Sequence, residues 1–282
     1  MSTPLLQFKG LGLSLPDMAH KSLFAPAPMK RIFSNISFEL QAGGSLGVIG
    51  ESGSGKSTLA RALTLIMPPQ DGELLFRGKS VLAFNEQQGI HYRSQLQMIF
   101  QDPMSSLNPR RRISDIIAQP LLVAGRDLNA SDRLDTVMQL LRRVGLDSSL
   151  ASRYPHQLSG GQRQRVGIAR ALALQPVALI ADEVTSGLDV SAQARIVALL
   201  EELRREEGLA LIFISHDLSL VRSLCDDVLI LRQGEVMEQG PAAQIFSQPR
   251  HAYTRDLMDA IALPVPDAEW LDRGLTTADA DA

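Results

Sequence analysis

One cysteine, Cys225, occurs in 282 residues. No internal disulfide can form, and no cysteine cluster can hold zinc or an iron–sulfur centre. A reducing compartment such as the cytosol suits this chain. Excess basic charge is also missing: net charge is -3 and the pI is near 6.0, which argues against nucleic-acid binding through a broad basic surface. No apolar run approaches the roughly 18 residues needed to span a bilayer. The opening Met1-Ser2-Thr3-Pro4 lacks a basic stretch followed by an apolar core, so no secretory leader is expected. Work at a membrane would need another chain to hold this one there. There is no internal repeat and no long low-complexity segment.

What is present is an ordinary folded composition, 45% hydrophobic and 21% charged, at a length that allows one large domain with an appendage. Residues 16–28 read as an irregular loop between two early strands, because prolines stand at 16, 26 and 28. Strands are expected over 32–40, 45–49, 95–100, 177–181 and 210–214. A helix is expected over 56–67, stopped by Pro68-Pro69. From Asp102 to Gln157 the strand signal disappears, and helical periodicity runs over 113–123 and 131–144. Ser131 reads as the N-cap of the second helix and Gly145 as its stop. Strands alternating with helices imply a largely parallel sheet interrupted by a helical insertion. A last helix over about 251–262 precedes an acidic end.

Gly50-Glu51-Ser52-Gly53-Ser54-Gly55-Lys56-Ser57-Thr58 fits the P-loop pattern, with an apolar strand before it and a helix after it. The glycines Gly50, Gly53 and Gly55 let the backbone curl, so that N–H groups of Ser52, Ser54 and their neighbours converge on one concavity. The following helix, opening at Lys56, Ser57 and Thr58, adds unpaired N–H groups and a positive dipole end. Lys56 would reach β- and γ-phosphates, and the Ser57 hydroxyl would ligate Mg²⁺. This loop alone does not separate kinases, GTPases, helicases and other P-loop proteins.

Leu158-Ser159-Gly160-Gly161-Gln162 selects the class, because it resembles the signature of ATP-binding cassette (ABC) proteins. Read from its residues, it is a second anion site, in which Ser159, both glycines and the helix beginning at Gln162 present donors. The resemblance implies that this site faces the γ-phosphate held by the P-loop of a second subunit. Val177-Ala178-Leu179-Ile180-Ala181-Asp182-Glu183 resembles the Walker B strand, which would put Asp182 beside Mg²⁺ and Glu183 beside the attacking water. Ser186-Gly187-Leu188-Asp189 looks like the D-loop along the dimer seam, and His216 in Ile214-Ser215-His216-Asp217 matches the switch histidine. Gln101, in Ile99-Phe100-Gln101-Asp102-Pro103, fits the glutamine that senses Mg²⁺ or water. An aromatic residue stacking on adenine is also implied, with Phe24 the nearest candidate and Phe33 and Phe8 as alternatives. Val184 stands where the family commonly has proline.

The resemblance covers about residues 5–240. It implies an α/β P-loop NTPase (RecA-like) core of ABC type, with an inserted α-helical subdomain and an antiparallel N-terminal β part. The expected divisions are 1–101 and 158–240 for the core, 102–157 for the helical subdomain and 241–282 for a C-terminal appendage. ATP and Mg²⁺ are the implied cofactors, and ATP hydrolysis the implied activity.

Residues 101–110, 189–194 and 249–255 resemble the oligopeptide, dipeptide and nickel importer subfamily, with Ala252 where proline is more usual. That likeness implies a second ATP-binding subunit in a heterodimer, two transmembrane permease subunits and a solute-binding protein. It places the chain peripherally on the cytoplasmic face of the inner membrane, and the insertion 102–157 as the dock for the permeases. Nucleic acid is not an expected partner. The alternative, a soluble ABC ATPase of DNA repair or the ribosome, is disfavoured by the short helices between Lys56 and Ser159 and by the single cassette. The cargo is not encoded in this chain.

Overall fold

The computed structural model describes residues 3–20, 27–102 and 106–260. Strands β1 (Leu6–Pro16), β2 (Met29–Leu40), β4 (Asp71–Phe76) and β5 (Lys79–Ser80) form an antiparallel sheet in the order β2-β1-β4-β5. A second sheet runs β10-β9-β3-β8-β7-β6, built from β3 (Ser45–Ile49), β6 (Leu96–Ile99), β7 (Ala178–Asp182), β8 (Ala210–Ile214), β9 (Asp227–Arg232) and β10 (Glu235–Pro241). Its pairings are parallel except the β9–β10 hairpin.

Both faces of the parallel sheet are buried, which explains why its strands read as continuous apolar runs. Along β7, Ala178 and Ile180 face a cluster shared with the antiparallel sheet and helix α1 (Lys56–Leu63). Leu179 and Ala181 face the opposite cluster. That second cluster takes in α3 (Ile113–Val123) and α4 (Ala130–Arg143) of the insertion, together with α5 (Gly160–Leu172) and α6 (Val190–Glu207). Ile116, Ile117 and Leu141 of the insertion therefore share one cluster with Val166 of α5 rather than forming a separate globule.

Several element ends differ from expectation. Helix α1 stops at Leu63, four residues early, because Leu65 adopts a left-handed φ of 59° well before the prolines. Helix α4 is capped by Asn129, whose side-chain oxygen accepts the Asp132 N–H at 2.9 Å; Ser131 lies inside the helix. Gly145, at φ 68°, does stop the chain after it. The signature helix starts two residues early, at Gly160. Helix α2 (Glu86–Gln95) was not expected; a capping box between Asn85 and Gln88 starts it. After α7 (Leu218–Leu224) and α8 (Ala242–Ser247), the last helix, α9, covers Ala252–Ala260; Ala262 and the acidic end lie outside the described residues.

Candidate nucleotide site

The phosphate cradle and the residues around it lie at or just beyond the carboxyl ends of parallel strands, where an open α/β sheet leaves a crevice. Gly50 follows β3, Gln101 follows β6, Glu183 follows β7 and His216 follows β8. The loop after β3 must pass close to β9, since a Cβ on Gly50 would fall 2.1 Å from the Leu231 carbonyl oxygen. Gly55, at φ 102°, turns the chain into α1. No described side chain caps α1, so its first N–H groups are available to an anion. Ser52, Gly53 and Ser54 form the turn between, closed by the Ser54 N–H donating to the Glu51 carbonyl at 3.2 Å, and Thr58 lies in the first turn of α1.

Lys56 is 4% exposed. Its Nζ donates to the carbonyls of Gly50 (2.7 Å) and Glu51 (2.8 Å) and lies 3.4 Å from Ser54 Oγ. Burial lowers its pKa, against the opposing pull of Glu183, Asp182 and Glu51. A buried ammonium facing backbone carbonyls and three acids is held ready for a polyanion.

Ser57 Oγ donates to Asp182 Oδ1 at 3.0 Å, joining α1 to the end of β7 across 125 residues. Asp182 is 3% exposed, and burial raises its pKa although the Ser57 hydrogen bond works the other way. A hydroxyl and a carboxylate in contact beside a phosphate cradle fit Mg²⁺, which takes one or two protein oxygens and fills its octahedron with phosphate and water. The described residues hold no group of three or more His, Cys, Asp and Glu that could form an all-protein cage.

Glu183 has a φ of 47°, unusual for a residue with a side chain, and its N–H donates to the Ile214 carbonyl at 2.9 Å. That backbone turn sends its carboxylate toward Gln101, whose Nε2 donates to Oε2 at 2.7 Å. His216 Nδ1 stands 3.9 Å from Oε1, with its ring 65% exposed. Ser215 and Asp217 fix the histidine's position: Ser215 Oγ accepts the Asp217 N–H, and the Asp217 carboxylate caps α7. Gln101, Glu183 and His216, distant in the sequence, thus converge around one carboxylate. Val184, where proline is usual, is buried and leaves this arrangement intact.

Ser159, Gly160, Gly161 and Gln162 open α5. Ser159 and Gln162 make a reciprocal capping box, at 2.9 and 3.3 Å, so these two side chains serve the helix itself. The N–H groups of Gly160 and Gly161 precede the first intrahelical bond, Arg163 to Ser159, and stay directed outward from the helix end. They line a cavity of about 210 Å³ with Gly187, Leu188 and Asp189. The Asp189 carboxylate accepts the Ala192 N–H at 2.8 Å and caps α6. Arg165 and Arg195, which sequence reasoning did not single out, also line this cavity and favour an anion there. No P-loop residue lines it, so the two anion sites of one chain are separate.

Of the aromatic candidates, Phe33 and Phe8 are 1% and 2% exposed and belong to the core, which removes both as adenine platforms. Phe24 lies outside the described residues.

Comparison with known proteins gives the same assignment from independent information. A family model described as ABC transporter matches residues 33–186. The chain is 45% identical over 266 residues to the oligopeptide transport ATP-binding protein OppF of Haemophilus influenzae, covering 94% of this chain and 80% of the relative. It is 47% identical over 247 residues to the di/tripeptide transport ATP-binding protein DppF of Pseudomonas aeruginosa, covering 88% and 76% respectively. Among solved structures, a dimeric post-hydrolysis state of the ATP-binding cassette MJ0796 bound to ADP and Pi superposes with a TM-score of 0.74 at 26% identity, covering 84% of this chain and 98% of that one.

Proposed function

The chain belongs to the ABC transporter family, and from that premise we propose how its residues power import. It is an ATP-hydrolysing, ATP-binding subunit of an ABC importer, and its relatives carry the names of oligopeptide and dipeptide transport proteins. Peptides are accordingly the proposed cargo.

The P-loop N–H groups and Lys56 bind the phosphates. Ser57 and Asp182 would hold Mg²⁺, which when bound neutralises charge on the β- and γ-phosphate oxygens. Glu183 orients and polarises the water that attacks the γ-phosphate, while Gln101 and His216 hold its carboxylate in place. The observation that carries this reading is the 2.7 Å bond from Gln101 to Glu183, beside the Ser57–Asp182 pair. Glu183→Gln should keep ATP affinity within about twofold and lower turnover by at least about a hundredfold, the range of a lost general base. Unchanged turnover in that variant would remove Glu183 from the role.

Closure is proposed to need a second ATP-binding subunit, whose signature helix completes this chain's site and whose P-loop meets this chain's Gly160 and Gly161. The division into core (1–101 and 158–240), helical subdomain (102–157) and appendage (241–282) is proposed to be functional as well. No described helix is long and apolar enough to cross a membrane. We place the chain on the cytoplasmic face, held by two permease subunits and supplied through them by a solute-binding protein. A cavity of about 620 Å³ lies where the insertion meets the core, lined by Ile90, Arg93, Gln97, Gln119, Val123 and Arg170 among others. Its exposed Ile90 and Val123 make it the proposed permease contact. Copurification of two multi-span proteins and a second ATPase with Glu183→Gln supports the assembly; recovery with ribosomes or DNA rejects it.

A further inference from the structure

Helices α7, α8 and α9 enclose a cavity of about 500 Å³, lined by Leu218, Ser219 and Arg222 of α7, Phe246 of α8, and Met258 and Asp259 of α9 among others. Its walls are mainly apolar. Leu218 is buried, while Phe246 and Met258 are half-buried and pack against the core cluster that also holds the insertion helices. Ser219, Arg222 and Asp259 are exposed and stand at the rim. Among the described residues, neither Arg222 nor Asp259 takes part in an ion pair.

The sequence supplies an occupant. Helix α9 ends at Ala260, one residue past Asp259 on the rim. The chain then continues Ile261-Ala262-Leu263-Pro264-Val265-Pro266, a run without a charged or polar side chain. Pro264 and Pro266 have no N–H with which to extend a helix, and they bias Leu263 and Val265 toward extended backbone. An extended run of this kind sends Ile261, Leu263 and Val265 to one side. Three extended residues reach about 10 Å, the breadth of a space of this volume. After Pro266 the sequence turns acidic, with Asp267, Glu269 and Asp272 as counter-charges for Arg222. Tethering decides between this segment and a second copy or a foreign chain, because a segment attached at the rim competes at an effective concentration on the order of millimolar.

We infer that residues 261–266 seat in this cavity as a strap, their apolar side chains against Leu218, Phe246 and Met258 and the acids that follow beside Arg222. Burial of Ile261, Leu263 and Val265 supplies the driving force, and the two prolines lower its entropic cost. The strap ties the C-terminal appendage to α7. That helix opens directly after His216, with the Asp217 carboxylate accepting the N–H groups of Ser219 and Leu220 at 2.9 and 3.2 Å.

The test is disulfide trapping in the full chain, with Ser219→Cys paired with Leu263→Cys. The native Cys225 is buried, and burial pushes its thiol up to about 12, so it stays out of the reaction. Mild oxidation should give an intramolecular disulfide, identified by peptide mass. Adding Ile261→Ser and Val265→Ser removes apolar burial, keeps the tether, and should slow that disulfide at least about tenfold. Equal rates would mean chance collision of a tethered tail and would overturn the strap. A disulfide between two chains would assign the cavity to a second copy, and no disulfide would leave it to a different partner; either result overturns the inference. Hydrogen exchange gives a second readout without introduced cysteines. Ile261→Ser with Val265→Ser should speed exchange of the α7 amides about tenfold while those of β8 keep their protection. Unchanged exchange at α7 would likewise remove the strap.

Discussion

Asp182 shows at the scale of one side chain how a site for a cation costs stability when the cation is not there to share its charge. It is nearly fully buried, and its pKa is raised by burial despite the Ser57 hydroxyl, Arg61 and Lys56. A carboxyl with a raised folded-state pKa opposes folding only where it is ionised. The penalty is absent below the unfolded value near 3.8, grows as pH rises from there to the folded value, and is complete above the folded value. Asp182→Asn removes the charge and keeps an oxygen for the Ser57 hydroxyl. In the nucleotide-free protein its Tm should match the parent at about pH 4 and exceed it at about pH 7. With Mg-ATP the order should reverse, because the parent gains ligand stabilisation that the variant lacks. Thermal unfolding at the two pH values, with and without Mg-ATP, checks both signs. Equal Tm at neutral pH would mean that Lys56 and Arg61 already neutralise the carboxylate.

At the scale of elements, caps decide where helices begin, and the two candidates at α4 make opposite predictions. Asn129→Ala removes the acceptor of the Asp132 N–H and should cost about 1 kcal/mol, read as a fall of about 2–4 °C in Tm. Ser131→Ala should be neutral or slightly stabilising, since alanine is the better residue inside a helix. If Ser131 were the cap, the two results would exchange. Hydrophobic periodicity locates this helix within a residue but does not say which of two neighbouring polar residues turns back onto the backbone. The same limit applies at Leu65, where Pro68 and Pro69 are visible stops and the actual break is a left-handed leucine. Helix α2 was hidden for another reason: only Gly89 and Tyr92 are buried on it, so it has no apolar stripe to read. The P-loop was legible because its glycines are forced by sterics, as the Leu231 carbonyl beside Gly50 makes plain.

At the scale of the whole molecule, the decisive feature is that one chain carries two anion sites that do not meet. The P-loop site contains Lys56, Ser57, Asp182 and Glu183, whereas the Gly160–Gly161 cavity is lined by Asp189, Arg165 and Arg195. If each serves a different ATP, as in a dimer of such chains, damage to the second must spare binding at the first. Gly160→Asp is suited to this test. A Cβ at Gly160 meets only the Leu188 side chain at 3.4 Å, an ordinary contact, and an acid in the first turn of α5 favours the helix dipole. Tm should therefore hold or rise slightly. The new carboxylate nevertheless stands where a phosphate must approach the Gly160 and Gly161 N–H groups, and like charges there repel in a poorly solvated seam. ATP affinity of the isolated chain should stay within about twofold, while ATPase activity of the assembled complex falls at least about tenfold, the scale of a lost oxyanion donor. A matching loss of affinity in the isolated chain would mean that both sites grip the same nucleotide, and the two-subunit arrangement would have to be abandoned. Retained activity in the complex would mean that the cavity beside Arg165 and Arg195 does not receive a phosphate. Because folding, own-site binding and coupled turnover are read separately, neither failure can be mistaken for a misfolded chain.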